Sequence, residues 1–516
     1  MTTSTTDRRI DAEWIASLPE LDDLQAATLQ GILNRAAQLP GDWSGMMGPT
    51  GGRQEDFGAI RYQLAFMSDA LAFTHAFRLP AAPAVFKRPF ELLIDKMLHS
   101  DTWFFWRDIS RGGHPLNLSL GEMKSEWDPM VRDNIMYSAY VQTMSLMYHH
   151  LFNDDKYSQA GALTVGYSSP AWSANESFKY DERSLNDHLY WLMVEKGYLG
   201  IACEPNCVFL ICNQPPIIGF RLHDMLYGGD LAGEVSAGWL KAWEEFGGIY
   251  QEGGEGSFKA LVMEKERVNV PAMTPTMDFW LANLMNSWNP KLIQEQYPIL
   301  LEKWAKEGPD GTLWVPWVDP FAGIDMDVPA SMTAPAQDMG WAAACASEVG
   351  DTETVNRLLA YADRFMHPAW ENGGLYHKRC DDMYDADGNF CNMDPMTGNA
   401  LFPLARLNVP NGRKRIYEGE WADGQHFDKP AIVDMSPGLD VRRAWFDDDR
   451  NALALTFGPA RNGTSSTRLV IGNVADRDIP TLWRDGIDAS ESVGREGEQI
   501  VIEFEHESRT DMVISW

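Results

Sequence analysis

The chain has 516 residues, 45% of them hydrophobic, with 43 basic against 74 acidic side chains and a net charge of −31. That length exceeds one ordinary core and fits a large domain plus a small one. The acidic balance excludes nucleic acid and an anionic membrane surface as partners. No apolar run approaches the roughly 20 residues that span a bilayer, and the start MTTSTTDRRIDAEW has no apolar export core. A cytoplasmic protein is expected, with its six cysteines reduced rather than forming a disulfide framework.

Within residues 1–40, Leu21, Leu24, Leu29 and Leu33 share one helical face. The loop GDWSGMMGPTGG then sets Asp42 beside Trp43. Helices are predicted over 55–77 and 86–98, followed by the aromatic cluster 103–106. The stretch 126–152 predicts one helix with Asp128 as N-cap and Pro129 in its first turn, apolar round most of its girth and therefore buried. Further helices are expected over 181–197, 206–227, 232–246, 276–287, 290–307, 334–348, 352–365 and 398–407. About twelve helices in antiparallel pairs make a mainly α fold, and an (α/α)6 barrel over 1–415 suits that count best. From there RAWFDDD, ALALTFG, TRLVIGNV, GEQIVIEFEH and TDMVISW are short, β-branched or alternating. Residues 416–516 are expected to form a small antiparallel, sandwich-like β module that braces the helices.

The stretch 200–230, GIACEPNCVFLICNQPPIIGFRLHDMLYGGD, concentrates the chemistry. It holds Cys203, Cys207 and Cys212, with Glu204 beside the first and Asn213 beside the last. Pro205 suits a first helical turn, which would put Cys203 at a helix N-terminus, where a thiolate is favoured. Cys212, inside an apolar run, would stay neutral. Spacing alone leaves these thiols equally open to being inert and buried. C-x3-C-x4-C is poor zinc spacing, no phosphate loop or HExxH occurs, and the acidic stretch 381–394 reads as a solvated loop.

The segments NIMYSAYVQTMSLMYHHLFNDDKY and GIACEPNCVFLICN, with TMDFWLANLMNSWNPKLIQEQYP and ASEVGDTETVNRLL in the same order, resemble the linalool dehydratase/isomerase family over about 25–407. The resemblance implies an (α/α)6 barrel, no cofactor, and a ring-shaped homo-oligomer. It also implies reversible dehydration or rearrangement of an allylic alcohol between two cysteines. Those cysteines fall on Cys203 and Cys212, the methionine of NIMY on Met136, and the family's aspartate on Asp42 when GDWSG is set against its N-terminal loop. The chain departs where the family's histidine is Tyr140 and a tyrosine is Thr276, and the β module has no counterpart.

The expected catalytic group is therefore Cys203, Cys212, Asp42 and Tyr140. Substrate contacts are expected from Met136, Tyr137, Glu204 and Asn213, and from Thr276, Asp278, Trp43 and Trp280. The expected activity is a hydro-lyase/isomerase on a hydrophobic alkenol or isoprenoid-like alcohol, with one group protonating the leaving oxygen and another taking a carbon-bound proton. Two alternatives are a carbohydrate-active lyase, epimerase or hydrolase using acidic pairs, and a non-catalytic binding protein on the same fold.

Overall fold

Two kinds of helix alternate along this chain, and their sidedness dictates where each can sit. The computed structural model describes residues 12–48, 58–112, 120–121, 123–169, 174–251, 257–319, 338–419, 421, 424–460 and 465–516. Among them, α1 (Asp23–Ala36), α3 (Pro83–Leu98), α5 (Glu182–Glu195), α7 (Leu231–Glu244), α9 (Pro290–Trp304) and α11 (Thr352–Phe365) bury one stripe each. The others are α2 (Ile60–Phe77), α4 (Ile135–Phe152), α6 (Gln214–Tyr227), α8 (Pro275–Met285), α10 (Asp338–Val349) and α12 (Phe402–Leu407). Within α2, α4, α8 and α10 nearly every residue is buried, so these helices need protein on all sides.

The packing follows. α2 contacts α4, α4 contacts α6, α6 contacts α8, α8 contacts α10, α10 contacts α12, and α12 returns to α2. The one-sided helices lie outside this closed circuit, with α3 against α2 and α4, α5 against α4 and α6, α9 against α8 and α10, and α11 against α10 and α12. The starts are written locally. Asp22 and Asp181 form capping boxes, Asp351 accepts the Thr354 amide, and Pro83, Pro275 and Pro290 occupy first turns.

Each inner helix is followed by an outer one, so inner N-termini gather at one end. Thr276 at the start of α8 bonds Asp338 at the start of α10, while at the far ends Asn286 and Asn408 both reach Glu348. That far end is closed by a buried charge node, in which Arg413, from the short helix Gly412–Glu418, donates to Asp69 at 2.8 Å.

Beyond it the strands run in two antiparallel sheets. One has the order Ala431–Met435, Ser465–Gly472, Gln499–His506, Val493–Glu496. The other has the order Val441–Asp447, Ala452–Phe457, Thr510–Ser515, Thr481–Arg484, Ile487–Asp488. Residue 415 lies inside the last short helix and the first of these strands begins at Ala431. The sheets meet the helices at the α2–α3 turn, where the Ile432 amide donates to Ala81 and the Ala81 amide to Ala444. A buried Arg443 reaches Glu20 at 2.6 Å. These contacts fall at the C-terminal end of α2, opposite the gathered N-termini.

Several sequence expectations need correction. The helix expected from Asp128 starts at Ile135, because Asn134 takes a left-handed φ of 61°. Asp128 instead accepts the Met130 amide and the Tyr180 hydroxyl. The helix expected over 206–227 begins only at Gln214. Asn206 has φ 73°, and Cys207–Phe209 is a strand paired with Lys259–Met263, which a helix could not satisfy. The predicted starts at 55 and 334 lie outside the described residues. No helix among the described residues is long and apolar enough to cross a membrane.

Candidate active site

The two cysteines of the motif come together because the chain between them folds back on itself. The Cys203 amide donates to Cys207 and the Cys207 amide to Glu204, so Pro205 and Asn206 form the corner of a tight reversal and not a helix start. Asn213 then stitches the two arms. Its Oδ1 accepts the Ile201 amide at 2.8 Å, and its Nδ2 donates to the carbonyls of Ile201 and Phe209 at 3.1 and 2.8 Å. Gly200 is obligatory at this contact, since it has φ 132° and a Cβ there would lie 2.6 Å from the Asn213 carboxamide. The Asn134 amide fixes the Cys203 carbonyl to the start of α4. Asn213 is therefore consumed in positioning Cys212, not offered to a ligand.

The thiols are buried and adjacent, and both the Cys203 thiol and the Glu204 carboxyl lie close enough to bear on the Cys212 proton. Burial, then the neighbouring Cys203, raises the Cys212 thiol well above its ordinary range. Cys212 lies in a 3-10 turn, Ile211–Asn213, just before α6, so it and not Cys203 is the thiol next to a helix start. Glu204 is raised by burial, partly offset by the Arg61 charge and the neighbouring Cys203, and its Oε2 has no hydrogen-bond partner. Arg61, in the first turn of α2, is almost fully buried. Burial disfavours its charge, but Tyr62, Cys203 and Glu204 together outweigh it and hold the guanidinium protonated. It donates to the Tyr62 hydroxyl at 2.8 Å and lies over the Phe105 ring at 4.2 Å.

An aromatic wall surrounds this group. Tyr62 packs edge-on against Tyr140 at 6.0 Å and Trp280 at 5.4 Å, and Phe66 contacts Tyr140, Trp280 and Trp341. Trp280 and Trp341 stack at 4.4 Å. Tyr140 is raised by burial and then by Tyr62 and Cys212, and its hydroxyl has no hydrogen-bond partner. Such a buried polar group costs about 1–3 kcal/mol.

Helical phase sorts the remaining residues. Thr276 and Trp280 are one turn apart and share the inner face of α8. Thr276 gives Asp338 both its amide (2.7 Å) and its hydroxyl (2.6 Å). Asp278, two residues from Thr276, faces away and accepts the Phe258 amide and the Trp304 indole, both at 2.9 Å, tying α8 to its outer neighbours. Met136 is buried in the first turn of α4, and Tyr137 donates to the Met97 carbonyl at 2.9 Å, away from the thiols. Asp42 accepts the Ser44 amide and hydroxyl, which hold it below the usual carboxylate range, and Trp43 donates to Asp101 at 3.0 Å. Their loop reaches the same end through Asn399, which donates to the Gly45 carbonyl.

Sequence reasoning missed Arg61, Tyr62, Asp338 and Trp341. Burial pushes Asp338 to about 7, and nearby Asp394, bonded to Thr397, to about 6. An arginine inside the apolar run IRYQLAFMSDALAF, and an aspartate opening DMGWAAACA, were the available signals.

Comparison with known proteins places the chain as follows. The family model for linalool dehydratase/isomerase matches residues 61–383, more than half of the chain. Among solved structures, an unsaturated glucuronyl hydrolase specific for heparin aligns at 10% identity over 78% of this chain and 98% of that one, with TM-score 0.42. An α-amylase from Clostridium perfringens aligns at 10% identity over 75% and 98%, with TM-score 0.37. A β-L-arabinofuranosidase from Geobacillus stearothermophilus T6 aligns at 11% identity over 95% and 75%, with TM-score 0.23.

Proposed function

This chain belongs to the linalool dehydratase/isomerase family, and from that premise we propose that it is a cofactor-independent hydro-lyase/isomerase acting on a small hydrophobic alkenol or alkene. The closed circuit of inner helices with outer helices packed around it supports reading its helical part as an (α/α)6 barrel whose site lies at the inner N-termini. The observation that carries the functional reading is the adjacent pair of buried thiols set against Glu204 and Arg61, with the aromatic group of Tyr62, Tyr140 and Trp280 beside them.

In the dehydration direction, Cys212 is the acid. Burial keeps its thiol protonated, and it gives that proton to the leaving hydroxyl, so the C–O bond breaks and its electron pair departs with water. Cys203 reacts as the thiolate beside the Arg61 guanidinium: it accepts a proton from the neighbouring carbon, whose C–H pair becomes the new double bond, and is left as the neutral thiol. Proton transfer between the neighbouring sulfurs then returns the proton from Cys203 to Cys212, which restores the Cys212 thiol and the Cys203 thiolate. Arg61 balances the thiolate charge of Cys203 before it takes the carbon-bound proton, and burial of Glu204, which favours its neutral form, limits the negative charge beside it. Tyr140 offers its unpartnered hydroxyl to the substrate oxygen, and the faces of Tyr62, Trp280 and Trp341 accommodate the apolar body and its allylic cation. Asp338, and not Asp42, is the acid assigned to orient the alcohol.

The test is turnover of a panel of tertiary and allylic alkenols, read as loss or gain of water. Cys203→Ala and Cys212→Ala should each lower it by about 10²–10⁴-fold with little change in thermal midpoint. Full activity in either variant rejects the mechanism. The family premise also carries a ring-shaped homo-oligomer, which light scattering would detect.

A second reading, a carbohydrate-active enzyme, rests on the buried acids Asp338 and Asp394, poised at about 7 and about 6. Release of reducing ends from oligosaccharides, with no reaction of alkenols, would favour it.

A further inference from the structure

Outside the thiol pair, one cluster of donor atoms has no part in the chemistry above. His367 follows the end of α11 with φ 53°, and its carbonyl accepts the Lys378 amide at 3.0 Å, which sets it beside the strand leading to Cys380. Cys380 and Met393 exchange both backbone hydrogen bonds at 2.9 Å, and the Cys391 amide donates to Met383. This antiparallel crossing brings both sulfurs to one point, the Asp382 carbonyl, at 4.0 Å from Cys380 and 3.6 Å from Cys391. The imidazole and the two sulfurs offer ligand atoms that all lie within 4.8 Å of one another.

We propose that His367, Cys380 and Cys391 bind one Zn²⁺ ion, with water in the fourth position. Two thiolates and an imidazole are a soft set that suits zinc over calcium or magnesium. Zn–S bonds of about 2.3 Å and Zn–N bonds of about 2.0–2.1 Å in a tetrahedron put ligand atoms roughly 3.5–3.8 Å apart. Binding would draw the present spread, of up to 4.8 Å, in by about 1 Å. The motif, H-x12-C-x10-C, is invisible to the usual short zinc patterns because a hairpin and not a single turn brings the ligands together.

The ion would act as a clip at the end of the molecule where the inner helices start. Met393 immediately precedes Asp394, which feeds the turn Thr397–Leu401 into α12. On the other side of Cys380, Arg379 donates to the carbonyls of Met47 and Gly48. Binding would therefore join the end of α11, the entry to α12 and the loop that follows Asp42.

The experiment titrates reduced, chelator-stripped full-length protein with Co²⁺ and then Zn²⁺. It reads the thiolate-to-cobalt charge-transfer and ligand-field bands, with zinc per chain measured by elemental analysis. One ion per chain is expected, with bands of a tetrahedral two-thiolate site that Zn²⁺ abolishes. Cys380→Ser and Cys391→Ser should remove the bands. His367→Ala, which spares both thiols, should weaken binding by at least the 10–100-fold that even an outer-shell partner costs. The Cys203→Ala/Cys212→Ala variant should bind as wild type does. Bands that persist in Cys380→Ser/Cys391→Ser protein would overturn the proposal, as would their absence from the reduced wild type. A Cys380–Cys391 disulfide found by peptide mapping, with no metal uptake after reduction, would overturn it too.

Discussion

Replacing Arg413 by Met should reveal how the far end of the helical circuit is held closed. Arg413 is buried, donates to Asp69 at 2.8 Å, and lies between the rings of Phe66 and Phe73 at 5.8 and 5.4 Å. Its backbone amide donates to Glu348, which is fully buried and also accepts the Asn408 amide group at 2.9 Å. Methionine keeps most of the stem volume, so the loss is chiefly of charge. Removing one partner of a buried ion pair costs about 3–5 kcal/mol, a large share of a stability of about 5–15 kcal/mol. The loss should depend on pH with a definite sign. Burial already raises Asp69 and Glu348 above their unfolded values, so their contribution is present in acid and is lost as pH rises through the folded pKa. Without the guanidinium both rise further. The variant should then approach wild type in acid and fall away from it towards neutral and mildly alkaline buffers. Urea and thermal midpoints across that range would check this, and adding Asp69→Asn and Glu348→Gln should restore much of the loss. A variant as stable as wild type at neutral pH, or one hurt most in acid, would refute the reasoning.

Two further outcomes follow from the site. Asp338 is raised to about 7 in the fold, so the stability it gives is present in acid and is lost as pH rises from about 4 through about 7. Asp338→Asn should flatten that part of the thermal-midpoint curve and remove the matching limb of the pH–rate profile, and unchanged curves would exclude the acid role. Asn213→Ala leaves the Ile201 amide and the carbonyls of Ile201 and Phe209 without their partner. At about 1–3 kcal/mol for an unsatisfied buried group, its urea midpoint should drop clearly. Turnover should drop as well, because the arms carrying Cys203 and Cys212 lose their stitch.

Much of this protein is legible before folding. The helices expected from 181, 276, 290 and 352 begin at Glu182, Pro275, Pro290 and Thr352, since start signals act within one turn of chain, although the same kind of signal at Asp128 and Pro129 did not start a helix. The five late segments read as strands are strands, because alternation needs no knowledge of the partner. What failed failed for want of distant partners. Cys207 lies where a proline suggested a helix, but Lys259–Met263, some fifty residues on, supplies a strand ladder that local propensity cannot foresee. Asp278 is expected from the sequence to contact substrate beside Thr276. It lies about 200° round the helix from that residue, and only the packing of α8 shows which face looks inward.

The sequence by itself determined the order of the main helices, the run of late strands, and two thiols within ten residues. Each of these depends on chain neighbours and on hydrophobic period. Tertiary structure alone decided that the thiols are neighbours, that Arg61 and Glu204 join them, and that Asp338 and not Asp278 bonds Thr276. Burial and charge act through space between residues scattered from 61 to 338, and only the closed circuit of helices makes those residues neighbours.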